Sequence, residues 1–414
     1  MNKVAFNSAD LFGMALHLQA PWYVKEVIFG AGESHSEVLE LRLDFTKGAQ
    51  FSDETGALCA VHDTVERVWQ HLNFFQHGCM LRCRVPRIRT TAGKVTTVGV
   101  PWARPGSGFT LLFEAYAMFL IEREMPVNRV GETMRVHPHR IWTLFNHWMG
   151  RARAADDLSG MKKLGIDETS KKRGHDYVTV AVDMDARRVI HVTDGKGKKA
   201  VESIGKHLDD KGVARAEITD VSMDLSPAFI AGAAASFPSA AITFDRFHVV
   251  KLLNEAMDKV RKDERQEHAE LKGHKYTFLK NRKNLSEKKE KSLAGMIQLY
   301  PTLGNAYRLK VLFNDLWEMP DKPAATTFLT QWCNEVEAAK IPAFMTFAKT
   351  VKAHWSGIIH FVQTRISNGI LEGINSKIQL AKRRARGYRT TENFINMIHF
   401  LCGKLKFDYP RYSA

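Results

Sequence analysis

The order of periodic runs between Leu164 and Asp245 constrains the fold more than anything else in the chain. The stretches "LGID", "YVTVAVD" and "RVIHVTD" read as strands rich in β-branched residues, and no helical pattern separates them. A helix, "KAVESIGKHLDD", follows, then a fourth strand within "EITDVSMD", a second helix, "SPAFIAGAAASF", and a fifth strand, "AAITFD". An ordinary doubly wound domain places a helix after nearly every strand. Three strands in succession, then helix, strand, helix, strand, predict a mixed sheet flanked by helices.

That is the element order of the ribonuclease H-like fold, in which the first and fourth strands are neighbours. Asp167, on the first, and Asp224, at the end of the fourth, can then stand side by side. A third acid is expected from Glu372, in "RISNGILEGINSKIQLAKRRARGYR", where a helical segment returns to the sheet. Such a set suits two Mg²⁺ ions, with Mn²⁺ as substitute, because hard cations take carboxylate oxygens and a metal pair assists in-line attack on a phosphodiester. Without cations, mutual repulsion would raise the carboxyl pKa values. Asp245, with His248 one helical turn on, competes with Asp224 for the middle position, and on the residues alone both readings stay open. Asp224, just before Ser226-Pro227, also suits a helix cap, and Asp183 and Asp185 suit a turn.

Upstream, Leu39 to Val100 is β-rich and irregular: "LELRLDF", "MLRCRVPRIR" and "KVTTVGV" alternate like strands, with "FSDETGA" and "TTAGK" as turns. After the Pro/Gly-rich joint "PWARPGSG" the pattern turns helical. Phe109 to Glu124, "PVNRVGETM" and "HPHRIWTLFNHWM" predict three helices, the last two joined by Arg135-Val136-His137. This suits a helix-turn-helix, with His139, Arg140, Thr143, Asn146 and His147 on the outer face of the recognition helix; an ordinary three-helix bundle has the same pattern. Downstream of the core, Val249 to Ser356 is helical and charged. Its aromatic residues are expected to pack their own core, and its basic clusters (Lys259, Arg261, Lys262; Lys280, Arg282, Lys283) could follow a DNA backbone.

Sixty Lys and Arg against 45 Asp and Glu give a net charge of +15, which favours a polyanionic partner. From Ser376 to Arg389 the chain carries Lys377, Lys382, Arg383, Arg384, Arg386 and Arg389 and no acid, next to the expected phosphodiester site, so backbone contact is the preferred reading. Five cysteines form no close-set framework, no apolar run spans a bilayer, and a cytoplasmic setting is expected.

The chain resembles the ISL-three group of bacterial insertion-sequence transposases, on "GIDETSKKRGHDYVTV", "VSMDLSPAF", "ITFDRFHVVKLLNEAMDKVR" and "ISNGILEGINSKIQLAKRRARGYR", with "WQHLNF", "VPRIR" and "VPWA" upstream. The resemblance implies a DDE catalytic domain with Asp167, Asp224 and Glu372 as its acids. It makes Asp245 and His248 an auxiliary pair, and it implies a helical insertion before the final acid and a helix-turn-helix for terminal inverted repeats. It also implies a small N-terminal zinc ribbon. Where that module carries cysteines, this chain has Ser52-Asp53-Glu54-Thr55 and Thr90. Cys59, His62, Cys79 and Cys83 are the available replacements, and a module folded without zinc is expected.

The expected fold class is therefore multidomain α/β. Residues 1–103 form a β-rich zinc-ribbon-like module and 104–155 a helix-turn-helix domain. Residues 160–250 form the first part of a ribonuclease H-like core, 251–360 an all-helical insertion, and 361–414 the rest of the core. The expected function is that of a DNA transposase that cuts and joins double-stranded DNA, at terminal repeats and target, as a homo-oligomer on paired ends. The rivals are a nuclease or resolvase of the same fold without strand transfer, and a non-catalytic DNA-binding repressor.

Overall fold

A computed structural model describes residues 7–31, 37–172, 174, 176–280, 282–364 and 369–410. The chain divides into two units, residues 1–152 with 406–414, and residues 153–405. Residues 406–414, assigned above to the catalytic core, thus group with the first unit. Among the described residues no helix is long and apolar enough to cross a membrane.

The first unit opens with α1 (Ser8–Ala15) and a six-stranded sheet made of β1 (Trp22–Ala31), β2 (Glu37–Phe45), β3 (Gln50–Ser52), β4 (Leu58–Phe74), β5 (His77–Arg89) and β6 (Val95–Thr97). The order is β1-β2-β5-β4-β3, with β6 on β5; β2 and β5 run parallel and the other pairs antiparallel. One face is apolar. Trp22, Leu41, Trp69 and Leu81 are buried on it together with Trp102, whose ring meets those of Trp22 and Trp69 at 5.1 and 5.7 Å. The joint "PWARPGSG" is therefore part of this core.

A sheet with strands this long stands where a small zinc-ribbon-like module is expected, and the available thiols do not gather. Cys79 and Cys83 lie four residues apart on β5, paired with Leu39 and Leu43 of β2, so they are separated by about 13 Å. Ligands of one tetrahedral zinc lie far closer than that. Burial pushes both thiols up to about 12. At the positions of the missing cysteines a carboxylate joins the loops instead. Asp53 accepts from the Thr55 hydroxyl (2.6 Å) and from the Thr55 and Ala57 amides. Across the β5–β6 turn it accepts from the amide and hydroxyl of Thr91 (3.0 and 2.9 Å). These bonds, led by that of Thr55, hold its carboxyl well below the usual range.

Three helices follow: α2 (Leu111–Glu122), α3 (Val127–Thr133) and α4 (Pro138–Ala154). Ile141, Leu144, Phe145 and Trp148 form the buried face of α4, at the spacing expected. Gly131 is needed for the tight approach of α3 to α4, since a Cβ there would lie 2.8 Å from the Val136 carbonyl. The fully buried Glu114 accepts from Arg104 Nε (2.9 Å), Trp148 Nε1 (2.8 Å) and the Ser107 hydroxyl, tying the joint to both α2 and α4. The sheet and the helices are also bonded directly. Gln70 of β4 exchanges backbone hydrogen bonds with Gly108 and Thr110, and His71 Nδ1 lies 2.8 Å from the hydroxyl of Thr110, the N-cap of α2.

The second unit contains β7 (Lys163–Ser170), β8 (Tyr177–Asp183), β9 (Arg188–Asp194), α5 (Lys198–Asp210), β10 (Asp220–Met223), α6 (Pro227–Ser236) and β11 (Ala241–Phe244). The sheet order is β11-β10-β7-β8-β9, with β7, β8 and β9 antiparallel and β10 parallel to both β7 and β11. On one face Leu164, Ile166, Ala181 and Ile190 pack with Val201, Ile204 and Phe229 from α5 and α6. Residues of the opposite parity on β7 and β8 point to the other face, and a register shift in β9 puts Val189 and Val192 there as well.

Then come α7 (Arg246–Glu267), α8 (Lys275–Leu279), α9 (Glu287–Leu299), α10 (Pro301–Phe313), α11 (Lys322–Ala339), α12 (Pro342–Ala353) and α13 (Trp355–Thr364), an all-helical stretch. Its aromatics form a core as expected: Phe313 meets Trp332 at 4.8 Å and Phe347 at 5.2 Å. Part of its basic charge is internal. Arg261 is buried against Asp258 (2.7 Å), while Lys262, which also pairs with Asp258 (3.0 Å), Arg282, which pairs with Glu290 (2.8 Å), Lys259 and Lys280 are exposed. The side chain of Lys283 lies outside the described residues, as does Asn368. The chain closes with α14 (Gly369–Arg384) and α15 (Thr391–Cys402). Their Leu371, Ile374, Ile378, Phe394 and Ile398 cover Val178, Val180, Val182 and Val192 on the second face of the sheet.

Candidate active site

The parallel pairing of β7, β10 and β11 sets the geometry. Ser222 pairs with Gly165, and Met223 with Phe244. Carried on to the strand ends, the same register puts Asp224 opposite Asp167 and Asp245 opposite Asp224, and the Asp245 amide still bonds the Met223 carbonyl at 3.1 Å. Neighbouring strands are about 4.8 Å apart, so three aspartates form a row across three strand ends. The row crosses the point where the chain reverses its direction of strand addition, between β7 and β10, which is where open α/β sheets form their crevices.

Both carboxylate oxygens of Asp167 are held by hydrogen bonds. Its Oδ2 accepts from Asn375 Nδ2 at 2.7 Å and its Oδ1 from the Glu168 amide at 2.8 Å. Burial pushes its carboxyl up to about 6, the nearby Asp224 and Asp245 adding to the rise and the Glu168 amide and His248 opposing it. Asp224 Oδ1 accepts from the Ser226 amide at 3.0 Å, so it also shapes the turn into α6. Asp245 is the N-cap of α7, accepting from the Phe247 amide at 3.0 Å, and its other oxygen is 3.8 Å from His248 Nε2. Two other acids of this sheet are engaged elsewhere. Asp183 accepts from the amides of Asp185 and Ala186, and Asp220 meets His360 at 3.0 Å.

Glu372 sits in the first turn of α14, exposed, one helical turn before Asn375. Among the described residues no group of three or more His, Cys, Asp and Glu is close enough to hold a metal ion, so the structure does not draw the Glu372 carboxylate into the aspartate row. What it does bring together is the helix and the strand. Leu371 lies against Gly165, where a Cβ would come within 3.3 Å of its methyls. Asn375 bonds Asp167, and Gln379 Nε2 bonds the Thr169 hydroxyl at 2.7 Å. Four helix residues rise about 6 Å and two strand residues about 6.6 Å, so the two repeats stay in step. The steps of four (371, 375, 379) and of two (165, 167, 169) are visible in the sequence, but Asn375 is recognisable as a partner of Asp167 only once both elements are paired.

Of the basic residues on and after α14, Lys377, Arg383, Arg384, Arg386 and Arg389 are exposed. Lys382 is half-buried and donates to the Ser170 carbonyl at 2.7 Å, fastening the helix end to β7. In the first unit, His139, Arg140 and Thr143 are exposed on α4 and Asn146 is half-buried. The Arg140 guanidinium lies 4.2 Å from the Phe109 ring centroid, and the Thr143 hydroxyl donates to the His139 carbonyl.

Residues 164–398 match a family model described as transposase, and residues 99–149 match the helix-turn-helix domain of transposase family ISL3. The chain is 28% identical over 359 residues to the transposase for insertion sequence element IS1557 of Mycobacterium tuberculosis, covering 80% of each. It is also 28% identical over 375 residues to the transposase for insertion sequence element IS1001 of Bordetella parapertussis, covering 87% of this chain and 91% of the relative.

Proposed function

As the chain belongs to the ISL3 family of transposases, we propose that this DNA transposase binds the terminal inverted repeats of its own element through the helix-turn-helix. In this proposal it cuts and joins strands at the row begun by Asp167 and Asp224, with Glu372 as the third acid. The strand order β11-β10-β7-β8-β9 supports a ribonuclease H-like core, and the side-by-side placing of the two aspartates at its switch point is the observation that carries the assignment. Asp245 and His248 are auxiliary: Asp245 caps α7, and its other oxygen faces His248.

The donor chemistry fits two divalent cations, Mg²⁺ or Mn²⁺. The acids offer hard oxygens, and bound cations would offset the burial, and the smaller repulsion from Asp224 and Asp245, that raise the Asp167 carboxyl. When bound, such ions activate a water or 3′-hydroxyl and stabilise the leaving oxygen. The protein's own part is positional. Asn375 and the Glu168 amide fix both oxygens of Asp167, and the α14–β7 pairing fixes the helix that carries Glu372. Lys377, Arg383, Arg384, Arg386 and Arg389 supply phosphate contacts to end or target DNA. Two ends are processed together, by a homo-oligomer.

The test is cleavage and strand transfer on labelled duplexes carrying the element's ends, with Mg²⁺ or Mn²⁺. Joined products are expected. Cutting without joining under either metal favours a nuclease, and binding without cutting favours a repressor.

For the N-terminal module the reading is a fold held without zinc, supported by the Asp53 clasp and the separation of Cys79 from Cys83. The melting temperature should be unmoved by a zinc chelator and lowered by Asp53→Ala. A chelator-induced fall would reverse this reading.

A further inference from the structure

The hairpin joining β4 and β5 ends in a two-residue turn, Phe75-Gln76, between the paired Phe74 and His77. Phe75 is 80% exposed and adopts a left-handed backbone, φ 52°. A turn of this length that opens with a positive φ takes glycine there by preference, and a bulky residue with positive φ is uncommon. A large apolar side chain thus stands in solvent at the hairpin tip at a backbone cost. Phe74 backs it, its ring 4.7 Å from that of Phe75 and 5.6 Å from that of Phe12.

This tip is fastened to the helix-turn-helix. Arg135, in the turn between α3 and α4 and itself left-handed at φ 54°, donates from Nη1 to the Gln76 carbonyl at 3.2 Å. Close to the tip, β4 is also bonded to the start of α2 through Gln70 and His71. The hairpin therefore has a fixed place beside the entry to the recognition helix, where His137 and His139 are also exposed.

We propose that the β4–β5 tip is a second DNA contact, a wing beside the recognition helix that sets Phe75 as an apolar wedge into the minor groove flanking the bound major groove. The occupant is duplex DNA because the tip is continuous with the helix-turn-helix surface and is bordered by Arg135 and two histidines. Apolar side chains set between base steps are a general means of minor-groove contact, and the gain comes from the bent duplex that they stabilise. The inference rests on the helix-turn-helix binding the element's ends.

The experiment compares the full-length protein with Phe75→Gly and Phe75→Ser on a labelled duplex of the element's terminal repeat, by affinity and hydroxyl-radical footprinting. The wild type should protect a major-groove patch and an adjacent minor-groove segment. Both variants should bind roughly tenfold more weakly and lose only the minor-groove segment. Because glycine suits a positive φ, Phe75→Gly should do so with a melting temperature no lower than that of the wild type. Unchanged affinity and footprint in the variants would overturn the wing while leaving the helix-turn-helix reading intact. Absence of any footprint with the wild type would overturn both.

Discussion

Asp224→Asn should reduce strand cleavage and strand transfer on end-bearing DNA by about a thousandfold or more in Mg²⁺, while leaving end binding unchanged. The substitution is nearly isosteric. An asparagine oxygen can still accept from the Ser226 amide, so the turn into α6 persists and only the negative charge beside Asp167 is lost. Asp245→Asn is the necessary comparison. Asparagine caps a helix about as well as aspartate, and the row keeps Asp167 and Asp224, so residual activity is expected. If the two variants exchange these outcomes, Asp245 holds the middle position and the assignment moves one strand outward. If neither loses activity, the aspartate row is not the site.

That the first and fourth strands adjoin was legible in the sequence because the order of five short β-branched runs admits few topologies. The N-terminal sheet was much less so. Strand β4, Leu58–Phe74, reads as polar because it carries charges that pair across to β5, Asp63 with Arg87 and Glu66 with Arg82, on opposite faces of the strand. A strand supported by ion pairs resembles a loop in composition. The basic residues pose the same difficulty in reverse. Lys382 and Arg261 look like candidates for phosphate contact, yet the first fastens α14 to the Ser170 carbonyl and the second is buried against Asp258. Lys310, which looks no different, is buried and donates to the carbonyls of Phe278 and Leu279. Charge counts locate a polyanion-binding protein. They do not separate the lysines that face solvent from those that hold helix ends.

The second unit should lose stability steeply in mild acid, because it folds around histidines that are neutral. The His191 ring stacks on that of His207 at 4.5 Å, between β9 and α5, and His399 of α15 is buried near both. Burial first, and then the positive charges of Arg153 and Lys211 and, for His399, Arg188, keep these rings from protonating. His191 is pushed down to about 3, His207 is lowered, and His399 falls well below its usual value, with Asp210 and a backbone hydrogen bond of Ile190 acting in the opposite sense on His207. Each folded pKa is thus depressed. Below about pH 6.5 the unfolded chain binds more protons than the folded one, so the stabilisation present at neutral pH is lost as pH falls. At pH 5 His191 alone should cost about 2 kcal/mol relative to pH 7.5, and His399 adds to this in the same sense. Urea denaturation at the two pH values measures this, and His399→Leu should reduce the difference. Equal stability at pH 5 and pH 7.5 would mean that the rings find water or an acid on protonation, and the account of this junction as a dry, cation-lined cluster would fail.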